Sequence, residues 1–277
     1  MYTKTKEIAK RLNSELFESR GLQAPKVAVV LGSGLGDFVN HIDNSQGVEY
    51  SSIEGFVKST VAGHRGRFVG GTIEGVSVVA MEGRVHYYEG YSMNEVVMGM
   101  RIMCQMGIEV VVMTNAAGGI NETFNVGDIM LIRDHINLLP NPLIGANDER
   151  FGVRFPDMTE PYSKRLRAIA EECAEAAGVS LQCGVYVASS GPTYETPAEY
   201  EYFHRIGADA CGMSTTGEVI AARHIGVEVL GFSVITNIGR GPNANKFNSH
   251  AEVVEASNGA ALKLQEIVKR SIAVIGK

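Results

Sequence analysis

The sequence has no tryptophan, and only 4 of its 277 residues are cysteine and 8 are proline. The cysteines form no CxxC pair and stand in apolar or helical contexts, which predicts buried thiols in a reducing cytosol and excludes a disulfide framework. No spacing of histidine and cysteine matches a zinc site, so we expect neither a metal nor a cofactor. The chain also lacks a run of about 20 apolar residues that could cross a membrane.

Concentrated positive charge is missing as well. With 25 Lys and Arg against 31 Asp and Glu the net charge is −6, and no stretch concentrates five basic residues. A nucleic-acid or acidic-membrane partner is therefore disfavoured, and any anion needs a local site. Residues 1–19 predict an amphipathic helix with Ile8, Leu12 and Leu16 on one stripe; they lack the apolar core of a signal peptide, so we expect a cytoplasmic protein.

Glycine, in contrast, is abundant. The 32 glycines exceed the usual share of about 7%, follow no G-X-Y repeat and occur with few prolines. We therefore assign the excess to tight turns and to places where backbone approaches closely. The remaining composition, 45% hydrophobic and 20% charged, is that of a globular protein with a sizeable core. No linker is visible, so we predict a single domain over residues 1–277.

Apolar runs rich in Val and Ile predict the strands of a mainly parallel sheet, buried on both faces. These runs are Val27 to Leu31, Val76 to Met81, Val110 to Thr114, Ile129 to Arg133, Gly184 to Ser189 and Val227 to Thr236. Helices are predicted from Ser92 to Gly107, from Tyr162 to Ala177, from Thr196 to Gly207 and after Ser249, with His250 in the first turn. The segment Phe68 to Met81, with Glu74-Gly75 in the middle, predicts a hairpin and hence a mixed sheet in an α/β protein.

Small and polar residues stand at five predicted strand ends, the places where open α/β sheets bind ligands. These ends are residues 32–36, 115–119, 191–195, 212–217 and 236–237. The first, Gly-Ser-Gly-Leu-Gly, fits neither the dinucleotide fingerprint nor the P-loop; it is either a plain turn or an anion-binding loop with Ser33 as an added donor. Ser214 lacks the glycine two residues later that a nucleophile elbow requires, so we interpret it as a hydrogen-bond donor.

Two further segments, 63–67 and 83–90, place Arg and His beside glycines. An arginine fork binds two phosphate oxygens and an imidazole can donate a third bond, although solvated cations on a polar loop are the alternative. Glu195 is either a solvated acid at a helix start or a carboxylate that accepts N–H groups from a planar heterocycle. In the second case Asn237 supplies an amide across the ring.

Nine segments in order resemble the trimeric, low-molecular-weight family of purine nucleoside phosphorylases. They are VVLGSGLG, STVAGHRGRFVGG, GRVHYYEGY, VVMTNAAGGIN, VGDIMLIRDHINL, NPLIGANDERFG, SSGPTYETPAEY, IGADACGMST and GFSVITN. The resemblance extends from about Lys26 to the C-terminal helix. It implies one α/β domain around a central mixed, partly barrel-like β-sheet flanked by helices, assembled as a homotrimer.

The resemblance also implies a pentosyltransferase of purine salvage. Inorganic phosphate, a co-substrate, attacks C1′ of a purine ribonucleoside or deoxyribonucleoside and releases the base and (deoxy)ribose 1-phosphate, with 6-oxopurines (inosine, guanosine) preferred. By similarity, the phosphate ligands are Ser33, His64, Arg84, His86, the backbone at Ala116 and Ser214. The nucleoside ligands are Tyr88, Phe155, Tyr194, Glu195, Met213, Asn237 and His250, with Phe155 reaching into the neighbouring subunit's site. His86, Glu195 and Asn237 are the implied catalytic residues, with Asn237 donating to N7 and Glu195 binding N1–H.

Three departures and three alternatives accompany this interpretation. Tyr194 stands where the family often has Phe, and its hydroxyl makes xanthosine a further candidate substrate. Gly217 stands where a Pro commonly precedes Glu218. Residues 238–242 differ from the run of small residues expected in bacterial members. A methylthioadenosine phosphorylase predicts an acidic donor in place of Asn237. A nucleoside hydrolase predicts base release without phosphate, and a non-catalytic nucleoside-binding protein predicts binding without turnover.

Overall fold

The computed structural model describes residues 1–32, 35–60, 65–242, 244 and 250–276. Nine strands occur in this part of the chain: β1 (Val27–Leu31), β2 (Asp43–Glu49), β3 (Arg67–Ile73), β4 (Val76–Glu82), β5 (Val110–Gly119), β6 (Ile129–Asn137), β7 (Leu181–Ala188), β8 (Ala210–Gly212) and β9 (Glu228–Ile238). Its α-helices are α1 (Tyr2–Leu16), α2 (Met93–Val96), α3 (Met98–Gln105), α4 (Lys164–Ala176), α5 (Pro197–Arg205), α6 (Thr216–Ile225) and α7 (His250–Ile275).

The strands form one mixed sheet, part of which closes on itself. Their order is β2-β3-β4-β1-β5-β8-β7-β6-β9, and β9 also pairs with β5, so that β5, β8, β7, β6 and β9 make a five-stranded barrel. Parallel pairs such as β1 with β5 and β5 with β9 stand beside antiparallel pairs such as β3 with β4 and β6 with β9. The predicted fold class, an α/β protein with a mixed, partly barrel-like sheet, is confirmed.

Strand β5 joins the barrel to the rest of the sheet. Its first half, from Val110 to Met113, pairs with β1, whereas Gly118 and Gly119 pair with β8 on the same side, and β9 follows the other side. The prediction that this strand ends at Thr114 is wrong, since pairing with two neighbours carries it five residues further. The Asn-Ala-Ala-Gly-Gly segment is therefore strand, not loop, and it runs along the inside of the site described below.

The hairpin and the helix starts that the sequence predicts are present in the local geometry. Strands β3 and β4 are joined by Glu74 and Gly75, which both have positive φ, as a two-residue type I′ turn requires. The capping boxes that begin α2 and α5 are both present. The prediction of one continuous helix from Ser92 to Gly107 is wrong, because Val97, at ψ 3°, separates α2 from α3. Strand β2 was missed because only Val48 in it is buried.

Helices cover both faces of the sheet and explain its apolar runs. Along β1, Ala28 and Val30 face one core cluster, which contains Leu12 of α1, and Val27 and Val29 face the other. The second cluster includes residues of α4 and α7. A strand buried on both faces must be apolar at every position, as the predicted pattern assumed. Among the described helices, none is both long and apolar enough to cross a bilayer.

Candidate active site

A cleft opens where β1, β5, β8 and β9 end; its empty volume is about 730 Å³, the solvent at its mouth included. Nine of the predicted site residues line it: Arg84, His86, Tyr88, Ala116, Tyr194, Glu195, Met213, Ser214 and Asn237. These residues come from five separate segments, so the fold brings together what the strand-end argument could only propose.

Four predicted residues are not seen in the cleft. Ser33 and His64 lie outside the described residues. His250 begins α7, as predicted, but its side chain is likewise outside what the structure describes. Phe155 is 85% exposed and lines a different pocket together with His135. Its predicted place beside the nucleoside is thus not reached within one chain.

Arg84 lies on the floor of the cleft, only 1% exposed. One terminal nitrogen donates to the Thr114 carbonyl at 2.7 Å, and the other donates to the hydroxyls of Ser214 at 3.2 Å and Thr215 at 3.0 Å. The carboxylate of Glu218 stands 3.3 Å from the guanidinium. The alternative of a solvated cation on a polar loop is therefore wrong for Arg84, which is a buried and rigidly held positive charge.

Glu218 and Thr215 support this arginine, and the sequence interpretation assigned a role to neither. Glu218 is 2% exposed in the first turn of α6; burial raises its pKa, while Arg84 and His86 act to lower it. Thr215 has φ +74° and ψ −56°, the conformation of a γ-turn, which the Thr216 N–H closes on the Ser214 carbonyl at 2.8 Å and which is rare and strained. Its hydroxyl accepts from Arg84 and, at 2.9 Å, from the amide of Asn115. Such strain persists where the surroundings fix the residue, often at active sites.

His86 is oriented by a carboxylate and an aromatic ring. Its Nδ1 lies 3.0 Å from Glu89, its backbone N–H donates to the same oxygen at 2.7 Å, and its ring stacks on Tyr88 at 4.7 Å. Burial acts to raise the pKa of Glu89, but hydrogen bonds from His86 and Thr60 bring that pKa down to about 2. Burial also raises the pKa of Tyr88 to about 12. Glu89 is thus an anion and Tyr88 a neutral phenol at neutral pH.

The opposite side of the cleft carries a carboxylate and an amide. Glu195 accepts from the Ser189 hydroxyl at 3.2 Å, and burial raises its pKa. Asn237 is only 5% exposed, and its Oδ1 accepts from the Thr236 hydroxyl at 3.2 Å. Its Nδ2 donates to the hydroxyl of Tyr200 at 3.1 Å. Both sides of this carboxamide are therefore held by the protein.

Two glycines of the cleft stand where no side chain fits. A β-carbon on Gly32 would lie 2.7 Å from the Thr114 carbonyl oxygen, and one on Gly118 would lie 2.9 Å from the Tyr200 hydroxyl. The prediction that part of the glycine excess serves close approach beside the site is confirmed at these positions.

The sequence interpretation named no role for several residues around the cleft. They are Asn115, Tyr200, Cys211, Thr215, Glu218 and Thr236. In the part of the chain that the structure describes, no group of three or more His, Cys, Asp or Glu side chains is placed to hold a metal ion. What the cleft offers is a buried cation with hydroxyl and amide donors on one side and a carboxylate beside an amide on the other. That set can bind an anion and a planar heterocycle together.

Comparison of the sequence with known proteins identifies the family of the chain. Residues 26–273 match the family model of the phosphorylase superfamily. The chain is 48% identical over 255 residues to purine nucleoside phosphorylase 1 of Geobacillus stearothermophilus, covering 92% of this chain and 93% of that one. It is 49% identical over 261 residues to purine nucleoside phosphorylase of Bos taurus, covering 91% and 90%.

Solved structures agree with these sequence relatives. The crystal structure of Schistosoma mansoni purine nucleoside phosphorylase in complex with inosine gives a TM-score of 0.91 at 34% identity, covering 99% of this chain and 97% of that one. The structure of the same enzyme with adenosine also gives 0.91, at 35% identity and the same coverage. The chain belongs to the purine nucleoside phosphorylase family of enzymes, and the family resemblance inferred from its nine segments is confirmed.

Proposed function

We propose that this enzyme phosphorolyses purine ribonucleosides and deoxyribonucleosides, with a preference for the 6-oxopurines inosine and guanosine and with xanthosine as a further candidate. One observation carries the proposal: a single cleft holds the buried guanidinium of Arg84 opposite the carboxylate of Glu195 and the amide of Asn237. The first group suits inorganic phosphate and the other two suit the edge of a purine. The relatives named above, one of them solved with inosine, support the same assignment.

The phosphate half rests on charge and donors. Arg84 brings a buried positive charge, which Glu218 pairs at 3.3 Å, and the Ser214 hydroxyl lies 3.2 Å from the guanidinium. The backbone of Ala116 and the ring of His86 line the same cleft. Ser33 and His64 complete the set by family resemblance. No metal or organic cofactor is needed in this scheme, because phosphate itself is the nucleophile.

The chemistry needs no covalent enzyme intermediate. Phosphate attacks C1′ through an oxocarbenium-like transition state, the bond to the purine breaks, and negative charge develops on the departing base. The enzyme contributes by holding phosphate against C1′ and by offering the Asn237 amide to N7 as that charge grows. Glu195 accepts the N1–H of a 6-oxopurine, and adenine offers no hydrogen there.

The proposal extends to the assembly of the enzyme and its place in the cell. We propose a single-domain, cytoplasmic homotrimer in which Phe155 of one subunit reaches the nucleoside site of the next. The 85% exposure of this aromatic side chain supports the idea, as does that of its neighbour Val153, which is 66% exposed. Ile144, 74% exposed, lines the same pocket as Phe155, and exposed apolar side chains that lie together are typical of surfaces that another chain covers.

The deciding experiment is base release from inosine with and without phosphate. We expect hypoxanthine to appear only with phosphate, together with ribose 1-phosphate. Release independent of phosphate would indicate a hydrolase, binding without release would indicate a non-catalytic protein, and turnover of methylthioadenosine in place of inosine would indicate the other phosphorylase. Each of these three results would contradict the proposal.

Replacing Glu195 with Gln tests base selection. We expect kcat/KM for inosine to fall about 10- to 100-fold, since a mismatched buried hydrogen bond costs about 1–3 kcal/mol. Discrimination against adenosine should shrink, because the amide can donate to the unprotonated N1 of adenine. Both substrates are assayed at saturating phosphate. The control is Glu201→Gln, at a partly exposed position on α5, the helix that follows Glu195, and an unchanged preference in Glu195→Gln would remove the N1 contact from the proposal.

A further inference from the structure

Tyr200 lies behind the purine side of the cleft. It is 3% exposed in α5, and its hydroxyl accepts the Asn237 amide at 3.1 Å. Its ring occupies the space that a β-carbon on Gly239 would take. This packing gives a physical reason for the glycine two residues after Asn237, in the segment whose sequence departs from the family pattern. Arg240 points away from the cleft, to Glu122 at 2.5 Å and Glu201 at 3.0 Å.

Cys211 lies beside Tyr200. The Tyr200 hydroxyl and the Cys211 sulfur, 1% exposed, are 2.9 Å and 3.2 Å from the point that a β-carbon on Gly118 would occupy. The thiol donates to the Gly118 carbonyl oxygen at 3.6 Å. The sulfur is thus placed to accept from the Tyr200 hydroxyl.

The Gly118 carbonyl sets the direction of these contacts. A backbone carbonyl can only accept, so the Cys211 thiol donates to it and leaves its sulfur to accept from the Tyr200 hydroxyl. The Tyr200 oxygen, having used its proton, then accepts an N–H from Asn237. On the other side, the Thr236 hydroxyl lies 3.2 Å from Oδ1 of Asn237 and 3.3 Å from the Ala117 carbonyl oxygen, and it can donate to either. The hydrogen bond to Tyr200 is therefore the contact that sets which side of the carboxamide carries nitrogen.

We propose that Tyr200, held by Cys211, is a positioning residue that fixes the Asn237 carboxamide with its nitrogen toward the purine. The amide has two N–H groups; one is given to Tyr200, and the second is left for N7 of the base. A reversed amide would offer oxygen to the electron-rich N7 and would oppose departure of the base. The inference rests on the proposed function, since it assumes that Asn237 donates to N7.

Tyr200→Phe removes only the hydroxyl and so tests the orientation directly. We expect kcat for inosine to fall about 3- to 10-fold, the equivalent of one lost hydrogen bond, with the phosphate KM unchanged. A nucleoside methylated at N7, such as 7-methylguanosine, has no acceptor at that atom and leaves as a neutral base. Its kcat should therefore be the same in the variant as in the unmodified enzyme. Tyr202→Phe, at a half-exposed position on the same helix, is the matched control.

A pair of variants at Cys211 tests whether its sulfur holds the Tyr200 hydroxyl. Cys211→Ser keeps a hydroxyl that accepts and donates, so it should retain most of the inosine kcat, whereas Cys211→Ala should reproduce the loss seen in Tyr200→Phe. Equal slowing of inosine and the N7-methylated nucleoside, or no slowing of either, would overturn the inference alone. Failure of the unmodified enzyme to release base from inosine with phosphate would overturn the proposed function and this inference together.

Discussion

Replacing Asn237 with Ala is expected to lower kcat for inosine about 10²- to 10³-fold, the usual effect of removing one donor aimed at a developing negative charge. The side chain is 5% exposed and is held by Thr236 and Tyr200, so it is oriented before substrate arrives. A donor of this kind stabilises the transition state more than the bound nucleoside. The loss should therefore appear in kcat, with the phosphate KM within about 2-fold of the original value.

The measurement is steady-state turnover of inosine at varied phosphate, with thermal unfolding recorded for each protein. Asn258→Ala, an exposed position on α7, controls for the loss of an asparagine side chain elsewhere. The N7-methylated nucleoside provides an internal control, because the role assigned to Asn237 is absent for that substrate. A kcat for inosine that stays unchanged would exclude Asn237 from leaving-group stabilisation.

Local patterns predicted much of this fold because their physical causes are local. Buried strands need apolar residues at every position, and β1 shows this with Val27 and Val29 facing one core and Ala28 and Val30 the other. Capping boxes and the Glu74-Gly75 turn depend on residues within four positions of one another. The sequence also predicted that Asn237 and Glu195 share one site, because both follow strand ends and ligands of open α/β sheets bind there.

The features that the sequence did not predict depend on contacts between residues that are far apart in the chain. Tyr200 has the spacing of an ordinary helix residue, and its role follows only from where β9 brings Asn237. The positive φ of Thr215 cannot be inferred from the sequence, because a β-branched residue disfavours it. Strand β5 passes Thr114 because β8 and β9 pair with its second half. None of these partners is close in sequence.

The ion pair of Arg84 with Glu218 joins positions far apart in the chain, and it yields the second large effect. Replacing Arg84 with Met leaves the Glu218 carboxylate buried, at 2% exposure, without its cation. Breaking a buried pair from one side costs about 3–5 kcal/mol of unfolding free energy. The same change removes the positive charge from the proposed phosphate site, so phosphate-dependent turnover should fall about 10²-fold or more.

Neutralising the partner separates these two consequences. In Arg84→Met with Glu218→Gln no charge is buried alone, so the double variant should regain most of the lost stability in chemical denaturation while turnover stays low. The single variant should also recover stability as the pH falls toward the folded-state pKa of Glu218, which burial raises, because the carboxyl then takes up a proton. If both variants were equally unstable at every pH, the loss would come from the Arg84 hydrogen bonds to Thr114 and Thr215 and not from the stranded charge.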